Sequence, residues 1–122
     1  MHKILFAHSD PKLIRLYHPH LSAHFSLDSA NNGLIALRKI KLSTPGLIVS
    51  DYKLPIISGL TLLKFVRKNP HTFATPFVFL SDYPGFEEAL SFGANDWFLK
   101  TEMHPDLLIE RIYHHLKQGV RV

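Results

Sequence analysis

Polar and charged residues follow several apolar runs in this chain, and Asp51 is the most conspicuous of them. It comes directly after the buried-strand pattern Leu47–Ser50 and stands before a loop that contains Pro55 and Gly59. The carboxylate therefore lies where a strand leaves the core. A carboxylate in such a place could bind a cation or act as a nucleophile.

Strand and helix patterns alternate along the whole chain. The predicted strands are Lys3–Ala7, Phe25–Ser29, Leu47–Ser50, Phe77–Ser81 and Asp96–Leu99. The predicted helices are one that starts at Asp10-Pro11 and extends towards Leu21, Leu34–Leu42, one capped by Ser58 that reaches Val66, a short one from Phe86 to Phe92 closed by Gly93, and Leu107–Lys117. Pro19 should kink the first helix or end it early.

Five strands alternating with five helices predict an α/β domain, a doubly wound parallel sheet covered on both faces. Ligands bind such sheets at the carboxyl ends of the strands. The candidate site residues are those that follow the strands: His8, Ser9, Asp10, Asp51, Ser81, Asp82 and Lys100.

Composition excludes several classes of function. The 122 residues suit a single domain, 1–122, and the absence of cysteine excludes disulfides and thiolate metal sites. No apolar stretch approaches the roughly 20 residues that span a bilayer, so we expect a cytoplasmic protein without a membrane partner. The net charge of +4 is spread over helix ends, and direct nucleic-acid binding is therefore not favoured. Among the nine histidines, no well-spaced set completes a zinc site.

The chain as a whole resembles the receiver domain of two-component response regulators, the flavodoxin-like chemotaxis-regulator type. The resemblance rests on an ordered set of stretches: KILFA with Asp10-Pro11, Asn32-Gly33, Leu47–Asp51 with Leu54-Pro55 and Gly59, Pro76 with Leu80-Ser81, Gly93-Ala94 and Trp97–Lys100. It implies a (βα)5 fold with strand order 2-1-3-4-5.

The resemblance also implies roles for individual residues. Asp51 would be the acceptor of a phosphoryl group from a histidine kinase. Ser81 and Lys100 would contact that group, and Trp97 would occupy the aromatic switch position. Lys53 would offer its backbone carbonyl to a metal ion. Phosphoryl transfer of this kind depends on positioning and on neutralisation of charge, usually by Mg²⁺ and a fixed cation.

The first strand departs from the family pattern. Receivers carry two adjacent acids where this chain has His8 and Ser9. Asp10 is acidic, but Asp10-Pro11 reads as a helix cap whose carboxylate faces backbone N–H groups. Asp51, with Asp10 as the second candidate ligand, should therefore bind Mg²⁺ weakly or not at all. His8 is interpreted as a hydrogen-bonded crevice residue. The alternatives are a neutral side chain that bonds to Asp51, a ligand for a softer ion, and a second cation beside Asp51 and Lys100.

Two further departures concern the later part of the chain. Thr101 replaces the usual proline after Lys100, which predicts a trans peptide bond and a displaced lysine. The segment from Ser81 to Gly93 is about one helical turn shorter than usual. We favour the interpretation that Phe86 and Phe92 fill the core under this short helix, over a remodelled partner surface.

These observations predict an atypical receiver that is not an enzyme. It would keep Asp51, be phosphorylated poorly or not at all, and act by contacts with a histidine kinase or another signalling protein. A homodimer through the fourth helix, fifth strand and fifth helix is a further expectation. The alternatives are a conventional Mg²⁺-dependent phospho-acceptor, a flavodoxin-like cofactor module and a nucleic-acid binder.

Overall fold

The computed structural model describes residues 1–119, which form ten alternating strands and helices. The elements are β1 Lys3–Ala7, α1 Pro11–Ser22, β2 Ser26–Ala30, α2 Gly33–Leu42, β3 Leu47–Ser50, α3 Gly59–Lys68, β4 Phe77–Leu80, α4 Phe86–Ser91, β5 Asp96–Phe98 and α5 Pro105–Gly119. All strands are parallel, in the order β2-β1-β3-β4-β5. The predicted fold class and strand order are confirmed. No helix within residues 1–119 is long and apolar enough to cross a bilayer.

The central strand β3 supplies both faces of the sheet with core residues. Ile48 belongs to the cluster beneath α2 and α3, whereas Leu47 and Val49 belong to the cluster beneath α1 and α5. All four residues of β3 are buried, because each face of the sheet is covered by helices. Asp51, at the end of β3, therefore leaves the sheet at its middle.

Several boundaries differ from the sequence-based prediction. α1 continues to Ser22, so Pro19 does not end the helix early, and the alternative of a kink stays a prediction. Pro19 has no N–H to donate to the carbonyl oxygen of Arg15, one helical turn earlier. Both residues are exposed, so water can bond to that carbonyl oxygen instead. β2 is shifted by one residue, to Ser26–Ala30. α5 begins at Pro105, since proline suits the first helical position.

The short helix α4 exposes its aromatic residues. Phe86 is 52% exposed and Phe92, which follows the helix, is 43% exposed. The interpretation that these rings fill the core is wrong. In a helix of six residues only Ala89 is buried, because fewer than two turns present a single position to the sheet. Gly93 closes the helix with φ 98°, as predicted.

Arg67, in the last turn of α3, ties three segments together. Its guanidinium donates to the carbonyl oxygens of Phe73, Thr75 and Gly93 and to Oδ1 of Asn95 at 2.7–3.1 Å. The same Asn95 oxygen accepts from the N–H of Phe77, the first residue of β4. The planar guanidinium of Arg67 thus fixes the two segments that lead into β4 and β5.

Truncation of Arg67 should lower stability more than truncation of an ordinary surface arginine. We expect Arg67→Ala to reduce the free energy of unfolding by about 2–4 kcal/mol, because several carbonyl groups lose a charged donor. Arg67→Lys should recover less than half of that loss, since an ammonium cannot reach all of these acceptors. Urea denaturation measures the effect, with the exposed Arg15→Ala as the control; equal losses for Arg15 and Arg67 would contradict the prediction.

Candidate functional site

Three side chains meet at the carboxyl edge of the sheet, after β3, β4 and β5. The hydroxyl of Ser81 donates to Oδ1 of Asp51 at 2.6 Å. The ammonium of Lys100 lies 3.2 Å from Oδ2 of the same carboxylate. Asp51 is only 6% exposed, so its charge is held by these two partners in place of bulk water. The structure therefore brings together the three residues to which the family resemblance gave the phosphoryl-contacting roles.

The end of the loop after Asp51 packs against the backbone at the start of the same loop. The N–H of Gly59 donates to the carbonyl oxygen of Tyr52 at 2.9 Å. A Cβ atom at Gly59 would lie 2.1 Å from the carbonyl oxygen of Asp51, so any side chain there would force α3 away from the site. In the same loop, Ile56 has φ 72° and is 74% exposed. This conformation is unfavourable for a β-branched residue, and it places backbone strain close to Asp51.

His8 occupies the first of the two positions that carry acids in the family pattern. Its side chain is fully buried, and Nε2 lies 2.8 Å from the carbonyl oxygen of Leu80. A carbonyl oxygen only accepts, so Nε2 carries the hydrogen. Burial lowers the pKa of His8, an effect that the nearby Asp51 carboxylate partly opposes. In the neutral ring, Nδ1 is then an unprotonated nitrogen.

This Nδ1 atom has no hydrogen-bond partner among residues 1–119, although it faces the Asp51 carboxylate. It lies 3.5 Å from Oδ2 of Asp51. Two hydrogen-bond acceptors, the Nδ1 and Oδ2 atoms, thus face each other in the site. The expected hydrogen bond of His8 is present, but it is made to Leu80 on β4.

The other two residues at the end of β1, Ser9 and Asp10, lie nearer to the surface than His8. Ser9 is exposed. Oδ1 of Asp10 accepts from the N–H of Lys12 at 3.0 Å and caps α1. The cap interpretation is confirmed, and this carboxylate is engaged at the helix start. Among residues 1–119 there is no group of three His, Cys, Asp or Glu side chains that could hold a metal ion.

Lys100 reaches Asp51 even though no cis peptide bond occurs in the described part of the chain. The Lys100–Thr101 bond is trans, as predicted, but the expected displacement of the lysine is wrong. The N–H of Lys100 donates to Oδ1 of Asp82 at 3.0 Å. This bond ties the end of β5 to the loop after β4 and keeps the lysine beside the carboxylate. Asp82 therefore contributes to the site through its hydrogen bond with the backbone N–H of Lys100.

Tyr52 connects the loop after Asp51 to α4, a role that sequence reasoning missed. Its ring packs against Phe79 and Trp97, with centroid distances of 5.5 and 5.3 Å, and its hydroxyl donates to Glu88. A Cβ atom at Gly85 would lie 2.7 Å from the Tyr52 ring. Tyr52 is only 8% exposed. The signal in the sequence was the large aromatic residue directly after Asp51.

Lys53 and Trp97 lie beside this aromatic cluster. The Lys53 ammonium lies 4.5 Å from the centroid of the Tyr83 ring, a cation–π contact. Trp97 is partly buried and packs against Phe79 at 5.1 Å between ring centroids. The role of the Lys53 carbonyl as a metal ligand stays a prediction, and so does the role of Trp97 as a switch.

The sheet order and the position of the polar edge define a class of protein: flavodoxin-like α/β domains that work at the carboxyl ends of their strands. Comparison with known proteins gives the family. The model of the "Response regulator receiver domain" family matches residues 4–113. This chain belongs to that family, and the domain is a receiver of two-component signalling.

Individual relatives agree with this assignment. The chain is 30% identical over 117 residues to a protein of Vibrio cholerae named "Probable cyclic di-GMP phosphodiesterase"; the match covers 93% of this chain and 26% of that protein. The receiver domain of response regulator 1452 from Francisella is 29% identical, with a TM-score of 0.85, over 97% of this chain and 98% of that one. The chain thus spans about a quarter of the curated relative.

A more distant structure shares the fold. The receiver domain of a sensor histidine kinase from Pseudomonas aeruginosa PAO1 has a TM-score of 0.85 at 18% identity, over 95% of this chain and 98% of that one. Its structure has a magnesium ion coordinated in the active site cleft.

The buried His8 should make stability pH-dependent near neutrality. Because its pKa is lowered in the folded chain, the unfolded chain binds a proton below its ordinary value of 6.5 that the folded chain does not. This contribution to stability is present above that value and is lost as the pH falls. We expect the free energy of unfolding of wild type, relative to His8→Gln, to fall by up to about 1.4 kcal/mol per pH unit between pH 6.5 and 5.

Urea denaturation in a buffer with EDTA measures this difference. Glutamine keeps a donor for the Leu80 carbonyl, and the exposed His18→Gln is the control. Parallel pH profiles for wild type and His8→Gln would contradict the prediction.

Proposed function

We propose that this domain is an atypical receiver that retains the acceptor Asp51 but binds Mg²⁺ weakly, and is therefore phosphorylated poorly. One observation carries the proposal: the carboxylate of Asp51 has a neutral imidazole where the family has an acid. With a single free carboxylate, the pocket has a low negative charge for a hydrated divalent ion.

The surroundings of Asp51 support the acceptor role. Ser81 and Lys100 contact opposite oxygens of the carboxylate and can receive the oxygens of an incoming phosphoryl group. A second candidate, the conventional Mg²⁺-dependent phospho-acceptor, is favoured by this same arrangement and by the magnesium ion in the Pseudomonas aeruginosa receiver. The two candidates differ in metal affinity alone.

The engagement of Asp10 supports the atypical reading. Its carboxylate satisfies the N–H of Lys12 at the start of α1. Its recruitment to a metal ion would leave that N–H without a partner, and loss of an N-cap costs about 1 kcal/mol. The use of Asp10 as a substitute for the missing acids would therefore lower the stability of the domain.

The partners are other signalling proteins, a histidine kinase among them, and the domain carries out no turnover of its own. The apolar surface around α4 and β5 supports contacts of this kind, including a homodimer through α4, β5 and α5. Its exposed members are Tyr83, Phe86, Leu90, Phe92 and Leu99, each 41–52% exposed. A cytoplasmic location and the lack of direct nucleic-acid contact belong to the same proposal.

A magnesium titration followed by phosphorylation tests the proposal. Trp97 fluorescence is followed during addition of Mg²⁺ and then of acetyl phosphate or beryllofluoride, and intact mass is recorded. We expect no saturation at low-millimolar Mg²⁺ and little or no gain of a phosphate-sized mass. Saturation in that range, with stoichiometric mass gain that Asp51→Asn abolishes, would establish the conventional receiver instead.

The matched variant restores the acidic pair. We expect His8→Asp combined with Ser9→Asp to raise Mg²⁺ affinity at least about tenfold, because two carboxylates join Asp51. Phosphorylation by acetyl phosphate should rise with it. A restored variant that binds Mg²⁺ no better than wild type, while still folded by circular dichroism, would contradict the proposal that the missing acids limit metal binding.

A further inference from the structure

Charge is distributed unevenly along this chain. From residue 82 to residue 110 the only base is Lys100, and the acids are Asp82, Glu87, Glu88, Asp96, Glu102, Asp106 and Glu110. From residue 31 to residue 81 the only acid is the buried Asp51, and the bases are Arg38, Lys39, Lys41, Lys53, Lys64, Arg67 and Lys68. A domain with a net charge of +4 therefore has one acidic part, which a partner can recognise by its charge.

The acidic part contains an apolar groove between the loop before α4 and the start of α5. Its volume is about 590 Å³, and its apolar lining includes Phe86, Trp97 and Met103. Two exposed acids, Asp82 and Glu102, also line this α4–α5 groove. An apolar floor with an acidic rim fits an apolar side chain that is flanked by cations.

The C-terminal end of α2 has the matching arrangement. Arg38, Lys41 and Leu42 are three and four residues apart, so their side chains share one face of the helix. Leu42 is 85% exposed. Arg38 and Lys41 are also exposed, and neither makes an ion pair within residues 1–119. This α2 end is thus an apolar side chain between two free cations.

The α4–α5 groove and the α2 end lie on opposite sides of one molecule. α2 packs against β1 and β2 at one edge of the sheet, whereas Trp97 belongs to β5, the strand at the other edge. The two surfaces therefore cannot meet within one chain. They can meet between two copies, and each such contact leaves one groove and one α2 end free.

We infer that the α2 end of one copy docks in the α4–α5 groove of a second copy, with Leu42 on the apolar floor and Arg38 and Lys41 beside the acidic rim. This inference rests on the proposed use of the α4 and β5 surface for protein contacts, and it names the surface that a second copy presents there. The contact is heterologous, so it builds open chains of copies. Because it joins exposed opposite charges, it weakens as the salt concentration rises.

Sedimentation velocity of the full chain tests the inference, in a buffer with EDTA and without a phosphodonor. At about 50 mM salt we expect the mean sedimentation coefficient to rise as the protein concentration is raised to about 1 mM. Most of that rise should be lost at about 0.5 M salt, where charges are screened within about 5 Å. A sedimentation coefficient that is independent of protein concentration at low salt would overturn the inference.

Two charge-reversal variants identify the surfaces. Arg38→Glu with Lys41→Glu reverses the α2 end, and Glu87→Lys with Glu102→Lys reverses the rim of the groove and its neighbour on α4. Each variant alone should associate at least about tenfold more weakly than wild type, because like charges then meet. An equal mixture of the two should associate again, since opposite charges are restored between unlike copies.

The mixture distinguishes this contact from other forms of self-association. If both variants are folded by circular dichroism and their mixture does not associate, the inference is overturned. If Arg38→Glu with Lys41→Glu associates as wild type does, the copies meet through another surface, such as a symmetric contact of α4, β5 and α5, and the inference is also overturned.

The apolar part of the contact has a matched control. Leu42→Ser should weaken association at least about fivefold and leave the unfolding midpoint unchanged, because the side chain it removes is exposed. Leu16, on α1, is 52% exposed, and Leu16→Ser should leave association unchanged. Equal effects of the two substitutions would contradict the placement of Leu42 in the groove.

Failure of this inference can be told apart from failure of the proposed function, because sedimentation is measured without metal ion or phosphodonor. If the chain stays monomeric and Mg²⁺ binds weakly, only the contact between copies is refuted. If Mg²⁺ saturates the site at low-millimolar concentration, the proposed weak metal binding is refuted, whatever the sedimentation result.

Discussion

The buried carboxylate of Asp51 is the group around which the rest of this domain is arranged. A carboxylate that is 6% exposed loses most of its hydration, which costs several kcal/mol unless charge and hydrogen bonds replace it. Ser81 and Lys100 provide that replacement from two neighbouring strands. Each can do so only if the strands end at the same height, and the parallel register provides this. The loops after β3, β4 and β5 are therefore constrained by a single charge.

The exchange of an acid for His8 changes the electrostatics of this edge. In a typical acidic pocket the anions repel one another until a cation binds, so the empty site is strained. Here the neutral imidazole removes that repulsion, and Lys100 already pairs with Asp51. The proposed function follows from this difference, since a ground state closer to neutral would gain less from an incoming ion. The carboxylate of Asp10 caps α1 and acts on His8 through its charge, as the smallest of the causes that shift the pKa of that histidine.

Much of this structure could be predicted from the sequence, because local signals and fold-level rules agreed. The alternation of short apolar runs with capped helices gave the sheet, and the position of Asp51, Ser81 and Lys100 after successive strands gave the edge where they meet. Contacts between distant segments could not be predicted. Arg67 read only as a cation at a helix end, whereas it bonds carbonyl groups around two strand entries. The partner of His8, a backbone carbonyl on β4, leaves no trace in residue types.

The hydrogen bond between His8 and the Leu80 carbonyl also bears on how such a pocket could change over generations. An aspartate at position 8 has no donor for that carbonyl, so one exchange back to an acid would leave a buried acceptor unpaired, at about 1–3 kcal/mol. Any gain in ion binding from a single acid at position 8 would be offset by this loss of stability. Selection for fold stability alone would therefore favour retention of the histidine at position 8.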